Sequence, residues 1–135
     1  MVAYSFKASF AAAIVARTKR QTIRLPRARH ARPGEAVQLF TGMRTKQCRK
    51  LIDPDPVCIR VDEIRMPAEW QAGEAPIEIN GIPLSDDEMA AFAIADGFGG
   101  APTGLSPLDY MRRWWSLIHG RRAFEGVVIR WEERA

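Results

Sequence analysis

Two stretches of this chain, Val57 to Ile64 and Phe124 to Trp131, alternate in side-chain character along their length and contain no proline. A period of two calls for extended backbone with one face on a core. Without proline, every backbone N–H in them is free to join a ladder. In the first, Val57, Ile59, Val61 and Glu63 share one face, with Cys58, Arg60 and Asp62 on the other. In the second, Val127, Ile129 and Trp131 share a face. Both belong in one core sheet, and the segments between them must fold back onto it.

Those segments carry their own signals. Val2 to Phe6 reads as a short strand. Lys7 to Arg17 reads as a helix, with Phe10, Ala13 and Ile14 at helical spacing. Ala36 to Phe40 resumes a strand after the Pro33-Gly34 turn, and Gly42 marks a bend. Asn80-Gly81 between Ile77-Glu78-Ile79 and Ile82 is a tight hairpin turn. Ser85-Asp86-Asp87-Glu88 is a capping box that opens a helix through Met89, Phe92 and Ala93, ending at Asp96-Gly97. Ser106 with Pro107 opens another, whose apolar stripe is Leu108, Met111, Trp115 and Ile118. The order predicts one α+β domain over residues 1–135: a small β-barrel or curved mixed sheet flanked by three helices.

Charge is distributed unevenly. Eleven Lys and Arg residues lie between Arg17 and Lys50 against the single acid Glu35, whereas Leu51 onward holds eight basic and fifteen acidic residues. A strongly basic part of the surface favours a polyanionic partner such as RNA. If Met43 to Ile52 is extended, Arg44 and Lys46 stand in a row on one face, with Arg49 beside them. Lys7 breaks the apolar N-terminal stretch, and no segment approaches the roughly twenty apolar residues of a membrane span. The reading is a cytoplasmic protein without a membrane partner. Cys48 and Cys58 have no zinc-finger spacing to each other or to His30 and His119, so no metal is expected; a disulfide between them would need adjacent strands, and two free thiols are the expectation for a cytosolic chain. The Gly97–Gly104 loop lacks the Gly-Lys-Ser/Thr ending of a phosphate-binding loop, so no cofactor is expected.

The run from Ala16 to Arg24 is the candidate site. Lys19 falls at a helix-to-strand turn, and from Gln21 onward the alternation puts Thr22 and Arg24 on one side and Ile23 and Leu25 on the other. An ammonium, a hydroxyl and a guanidinium aimed at one mouth suit a nucleotide, a phosphate or a polar carbonyl compound. A threonine hydroxyl attacks only when a base takes its proton, and a lysine is that base only if burial or neighbouring cations lower its pKa. Arg17, Arg20 and Arg24 supply such cations in sequence.

Lys19-Arg20-Gln21-Thr22-Ile23-Arg24 resembles the Lys-x-x-Thr-x-Arg signature of ASCH domains, a branch of the PUA-like superfamily. Pro33-Gly34-Glu35, Ala95-Asp96-Gly97-Phe98 and Phe124 to Trp131 are similar to that family's later motifs and follow in its order. The resemblance implies a small β-barrel fringed by helices, with a cleft for RNA or a modified nucleoside. In family members that deacylate N(4)-acetylcytidine, the motif lysine accepts a proton, the threonine is the nucleophile and a downstream glutamate donates a proton. Lys19 and Thr22 match the first two roles, and Asp96, one methylene shorter, stands where the glutamate is expected. The resemblance thus implies an amidohydrolase using Lys19, Thr22 and Asp96. The alternatives are a ribonuclease in the same basic cleft and a non-catalytic RNA-binding module, with Phe40 or Trp114 stacking on a base. Arg17, Arg20, Arg24, Arg44, Lys46 and Arg49 would hold the nucleic acid or substrate in each case.

Overall fold

The computed structural model describes residues 2–133. The N-terminal strand β1 (Val2–Phe6) pairs in parallel with β3 (Val37–Thr41), which pairs antiparallel with the two-residue β4 (Arg49–Lys50). A second, wholly antiparallel sheet has the order β2 (Gln21–Arg24), β8 (Phe124–Glu132), β5 (Val57–Met66), β6 (Glu78–Ile79), β7 (Ile82–Pro83). The helices are α1 (Ala8–Val15), α2 (Asp86–Ala93) and α3 (Pro107–His119). An isolated bridge from Ala36 to Val57 and the bond from Cys58 N–H to Glu35 C=O join the start of β3 to β5. The fold is therefore α+β with three helices, as expected, but the described strands form two joined sheets and no closed barrel.

β8 is paired on both sides, and each of its faces carries a core. Ile129 and Trp131 pack with Val2, Tyr4, Phe6, Val37 and Leu39 and with Ala11 and Ile14 of α1. Val128 packs on the other face with Ile64, Met66, Trp70, Met89, Phe92, Phe98 and Met111, which brings in α2 and α3. Phe10 touches both cores. The candidate site lies at this seam.

The anticipated caps and hairpin are present. Ser85 and Glu88 close a reciprocal capping box, and Ser106 Oγ accepts from Asp109 N–H ahead of Pro107. Asn80 and Gly81 turn between β6 and β7 at φ values of 51° and 79°. Cys48 and Cys58 are both free thiols. No helix among the described residues is long and apolar enough to cross a membrane.

Three local expectations are corrected. The register of β5 against β8 shifts between Cys58 and Arg60, a bulge that reverses the alternation, so Ile59 is 46% exposed while Asp62, Ile64 and Met66 turn inward. Ile118 leaves the α3 stripe and is 47% exposed, because the core ends at Trp115. Residues 42–48 are turns and not a strand: Gly42 (φ 67°) and Arg44 (φ 65°) occupy the left-handed region, and Thr45 bonds back to Gly42 C=O through its N–H and its hydroxyl. Arg44 and Lys46 therefore do not form a strand row.

A buried lysine and aspartate on an aromatic cavity

α1 ends in a Schellman-type turn, with Arg17 N–H donating to Ile14 C=O and Thr18 N–H to Ala13 C=O. Arg17 takes the left-handed position that glycine usually fills, at φ 66°, and the chain is sent inward at Lys19. The other half of the site is a wide π-helical turn, Ile94–Phe98, continuing from α2. Such turns insert a residue that an α-helix would not present, and they recur at functional sites. Phe98, 1% exposed, anchors this one edge-on against Phe10, Tyr110 and Trp114.

Three consecutive residues lock onto this turn. Arg20 N–H donates to Ala95 C=O at 2.8 Å, Lys19 Nζ to Asp96 C=O at 2.5 Å, and Gln21 Nε2 to Asp96 Oδ1 at 3.2 Å. Lys19 Nζ also lies 4.0 Å from Asp96 Oδ1. Lys19 and Asp96 are 3% and 6% exposed, so two ionisable groups are almost wholly removed from water. Burial is the leading influence on both. It lowers the Lys19 pKa, with Arg24 lowering it further and Asp96 opposing, and it raises that of Asp96, against the pull of Lys19, Gln21 and Arg24. Each group is thus moved toward its neutral form.

Thr22 and Arg24 share a face of β2, where Arg24 Nε donates to Thr22 Oγ1 at 2.9 Å and a terminal nitrogen of the guanidinium to Ser5 C=O at 2.7 Å. The guanidinium carbon stands 5.3 Å from the Tyr4 ring centroid and 5.0 Å from that of Phe6. Lys19 Nζ lies 4.8 Å from the Phe10 centroid, an arrangement that holds a cation against aromatic faces.

Lys19, Thr22, Arg24 and Asp96 all line one cavity of about 530 Å³, together with Phe6, Phe10, Trp114, Trp115 and Phe124. The expected convergence of these four side chains is therefore observed, although Lys19 and Asp96 are 77 positions apart. The other candidate residues lie outside that lining. Arg17 pairs with Glu133 at 2.5 Å, and the Arg20 side chain donates to Arg17 C=O, so only its backbone supports the site. Arg44, Lys46 and Arg49 are exposed on the 42–50 segment. That segment contributes Gly42, Met43, Thr45 and Gln47 to a shallow groove sharing Ser5, Phe6 and Lys7 with the cavity. Of the two anticipated stacking residues, Trp114 lines the cavity and Phe40 does not; Lys50 Nζ lies 5.9 Å from the Phe40 ring.

Sequence reasoning passed over Gln21, read only as a strand former, and the aromatic walls Phe6 and Phe10, read only as core. Their signal is combinatorial: aromatics on β1 and α1 acquire meaning once Lys19 and Arg24 are placed over them. Gly97 is a further structural requirement. Its φ is 108°, and a Cβ there would stand 3.0 Å from both Lys19 Cδ and Phe10 Cδ1. Gly97→Ala is expected to lower stability by about 1–3 kcal/mol through backbone strain and to displace the Lys19 stem. Chemical denaturation of the variant checks the loss.

These features define a two-sheet α+β domain with a buried lysine–aspartate pair on an aromatic cavity. No family model, curated protein or solved structure matches the chain at a significant level. Among the described residues no group of three or more His, Cys, Asp or Glu side chains is placed to hold a metal ion.

Proposed function

We propose that this chain is an ASCH-type, PUA-like domain that takes a modified cytidine, free or within RNA, into the cavity and hydrolyses an N-acyl group through Lys19, Thr22 and Asp96. One observation carries the reading: Lys19 and Asp96, moved by burial in opposite directions toward neutrality, line a cavity that Thr22 also lines. Burial thus favours the neutral amine and the protonated carboxyl, the forms that base and acid roles require. The cavity volume falls within the range of roughly 300–1,000 Å³ common for small-ligand sites, and its aromatic walls suit a flat base.

In this reading neutral Lys19 takes the Thr22 proton as Oγ1 attacks the acyl carbonyl carbon. Arg24, already donating to Oγ1, favours the developing anion. The C–N bond breaks with the proton of Asp96 passing to the leaving amine. Water then cleaves the acyl-threonine ester, releasing a carboxylic acid and restoring the hydroxyl, and the proton taken up by Lys19 passes to Asp96, whose Oδ1 lies 4.0 Å away, so that both groups return to their starting forms. A mass-spectrometric screen of acylated cytidines and short RNAs tests this: release of the free amine from at least one acyl cytidine supports it, and none from any rejects it.

The groove beside the cavity favours a second reading, a module that holds RNA without cleaving it. The groove leads from Ser5, Phe6 and Lys7 to the turns bearing Arg44 and Lys46. Binding by these cations and Arg49 would release counterions at a slope of about 0.7 per phosphate contact on single strands. Changing Arg44, Lys46 and Arg49 together to Gln is expected to reduce the salt slope by up to about 2, whereas an unchanged slope removes this segment from the interface.

A further inference from the structure

The cavity lining holds groups of different burial. Lys19, Thr22 and Asp96 are buried and Arg24 is half-buried; the lining also includes Lys7, His119 and Arg122, which come from three separate places in the chain. Lys7 sits between β1 and α1, His119 is the last residue of α3, and Arg122 lies in the connection to β8. All three are exposed. Neither Lys7 nor Arg122 has an acidic partner among the described residues, whereas other basic residues of this chain are paired: Arg17 with Glu133, Arg60 with Asp62, Arg65 with Glu78. Of the two acids on the same lining, Asp96 is buried beside Lys19 and Glu125 is drawn 3.7 Å from Arg65 Nε.

We propose that Lys7, His119 and Arg122 form a phosphate subsite, so that the ligand of this cavity is a nucleotide unit carrying a phosphate ester and not a free nucleoside. This rests on the nucleoside reading of the inner cavity for the identity of the rest of the ligand, but the subsite itself does not need it. Three cationic or protonatable groups brought together without a counter-anion repel one another, and an anion relieves that repulsion. Consistent with this, burial first, and then Lys7 and Arg122, lower the proton affinity of His119. The first turn of α1 adds its positive end next to Lys7, with no side-chain cap and no acid in the turn. His119 is also held in place, its ring centroid 4.3 Å from that of Trp115 and 5.6 Å from that of Trp114. A base between aromatic walls and a phosphate at the mouth would therefore be fixed at two points.

The shared chemistry is a phosphate ester, supplied by a mononucleotide or by the backbone of an RNA strand. Binding of cytidine, cytidine monophosphate and a cytidine-containing trinucleotide is measured at low salt on the wild-type chain and on the double variant Lys7→Met/Arg122→Met. In parallel, the His119 ring is titrated by NMR with and without inorganic phosphate. The expected result is roughly ten-fold tighter binding of the monophosphate than of cytidine, lost at high salt. The double variant removes that gain and leaves cytidine binding unchanged, and phosphate raises the His119 pKa in the wild type alone. A trinucleotide that exceeds the monophosphate supports RNA as the source; equal affinity supports a free nucleotide. A monophosphate that binds no better than cytidine, with His119 unmoved by phosphate, overturns the subsite and leaves the inner cavity reading standing. If neither cytidine nor its monophosphate binds, the nucleoside reading fails, and the phosphate titration of His119 alone decides the subsite.

Discussion

Lys19→Ala is expected to reduce turnover of an N-acyl cytidine by at least about 100-fold while the folded signal of the far-UV spectrum is retained. The lysine is buried with its nitrogen bonded to the Asp96 carbonyl oxygen, and its pKa is lowered chiefly by desolvation, which favours the neutral amine needed to take the Thr22 proton. Lys19→Arg separates charge from basicity. A guanidinium preserves the positive charge but does not deprotonate, so this variant is expected to be inactive as well. The rate falls toward acid pH as Lys19 gains its proton and toward alkaline pH as Asp96 loses its own, burial having moved the two pKa values toward each other. The resulting bell belongs to the coupled pair and not to either residue singly. Asp96→Asn is expected to remove the alkaline limb because it takes away the acid. Turnover of Lys19→Ala at the wild-type rate would reject the lysine as the base.

Trp70→Ala is expected to destabilise the fold by about 3–5 kcal/mol, the largest stability loss anticipated for a single change here. Trp70 is fully buried in a short 3₁₀ turn, Ala68–Ala72, that packs edge-on against Trp115 of α3, and its backbone carbonyl accepts from Arg112 Nε. Its removal leaves a cavity beneath the helix that supplies Trp114, Trp115 and His119 to the site. Trp70→Phe is expected to cost much less, because an aromatic ring is kept in the site and the indole N–H it discards has no protein partner among the described residues. Urea denaturation of the two variants checks both magnitudes; equal losses would mean that ring volume is not what Trp70 contributes.

The sequence made local chemistry readable and long-range register unreadable. Ser85, Glu88, Ser106 and Asn80-Gly81 act through bonds within a few positions, so caps and the hairpin followed from residue type alone. Thr22 and Arg24 share a face because β2 is regular, and their hydrogen bond follows from that. The arrival of Asp96 beside Lys19 had no local cause; it was anticipated only by resemblance, and its means is the π-helical turn with Gly97 at positive φ. The bulge at Ile59 inverted an alternation that read cleanly on paper, since a register shift depends on the partner strand. Likewise the turns at 42–48 follow from left-handed backbone at Gly42 and Arg44, and arginine carries no signal for that conformation. The order of elements left a small barrel and a curved mixed sheet both open, and the family resemblance favoured the barrel, whereas the described strands stop at two sheets joined through Ala36 and Val57. The mouth cluster was invisible because Lys7, His119 and Arg122 meet only in three dimensions.

The most direct test of the account is a crystal structure of the wild-type chain soaked at saturation with a non-hydrolysable N-acyl cytidine analogue. The account predicts the pyrimidine ring against Phe10 and Trp114, the acyl carbonyl carbon within attack distance of Thr22 Oγ1, roughly 3–3.5 Å, and the N4 nitrogen toward Asp96. An analogue bound elsewhere on the surface, or one lying in the cavity with its acyl group turned away from Thr22 and Lys19, would contradict it.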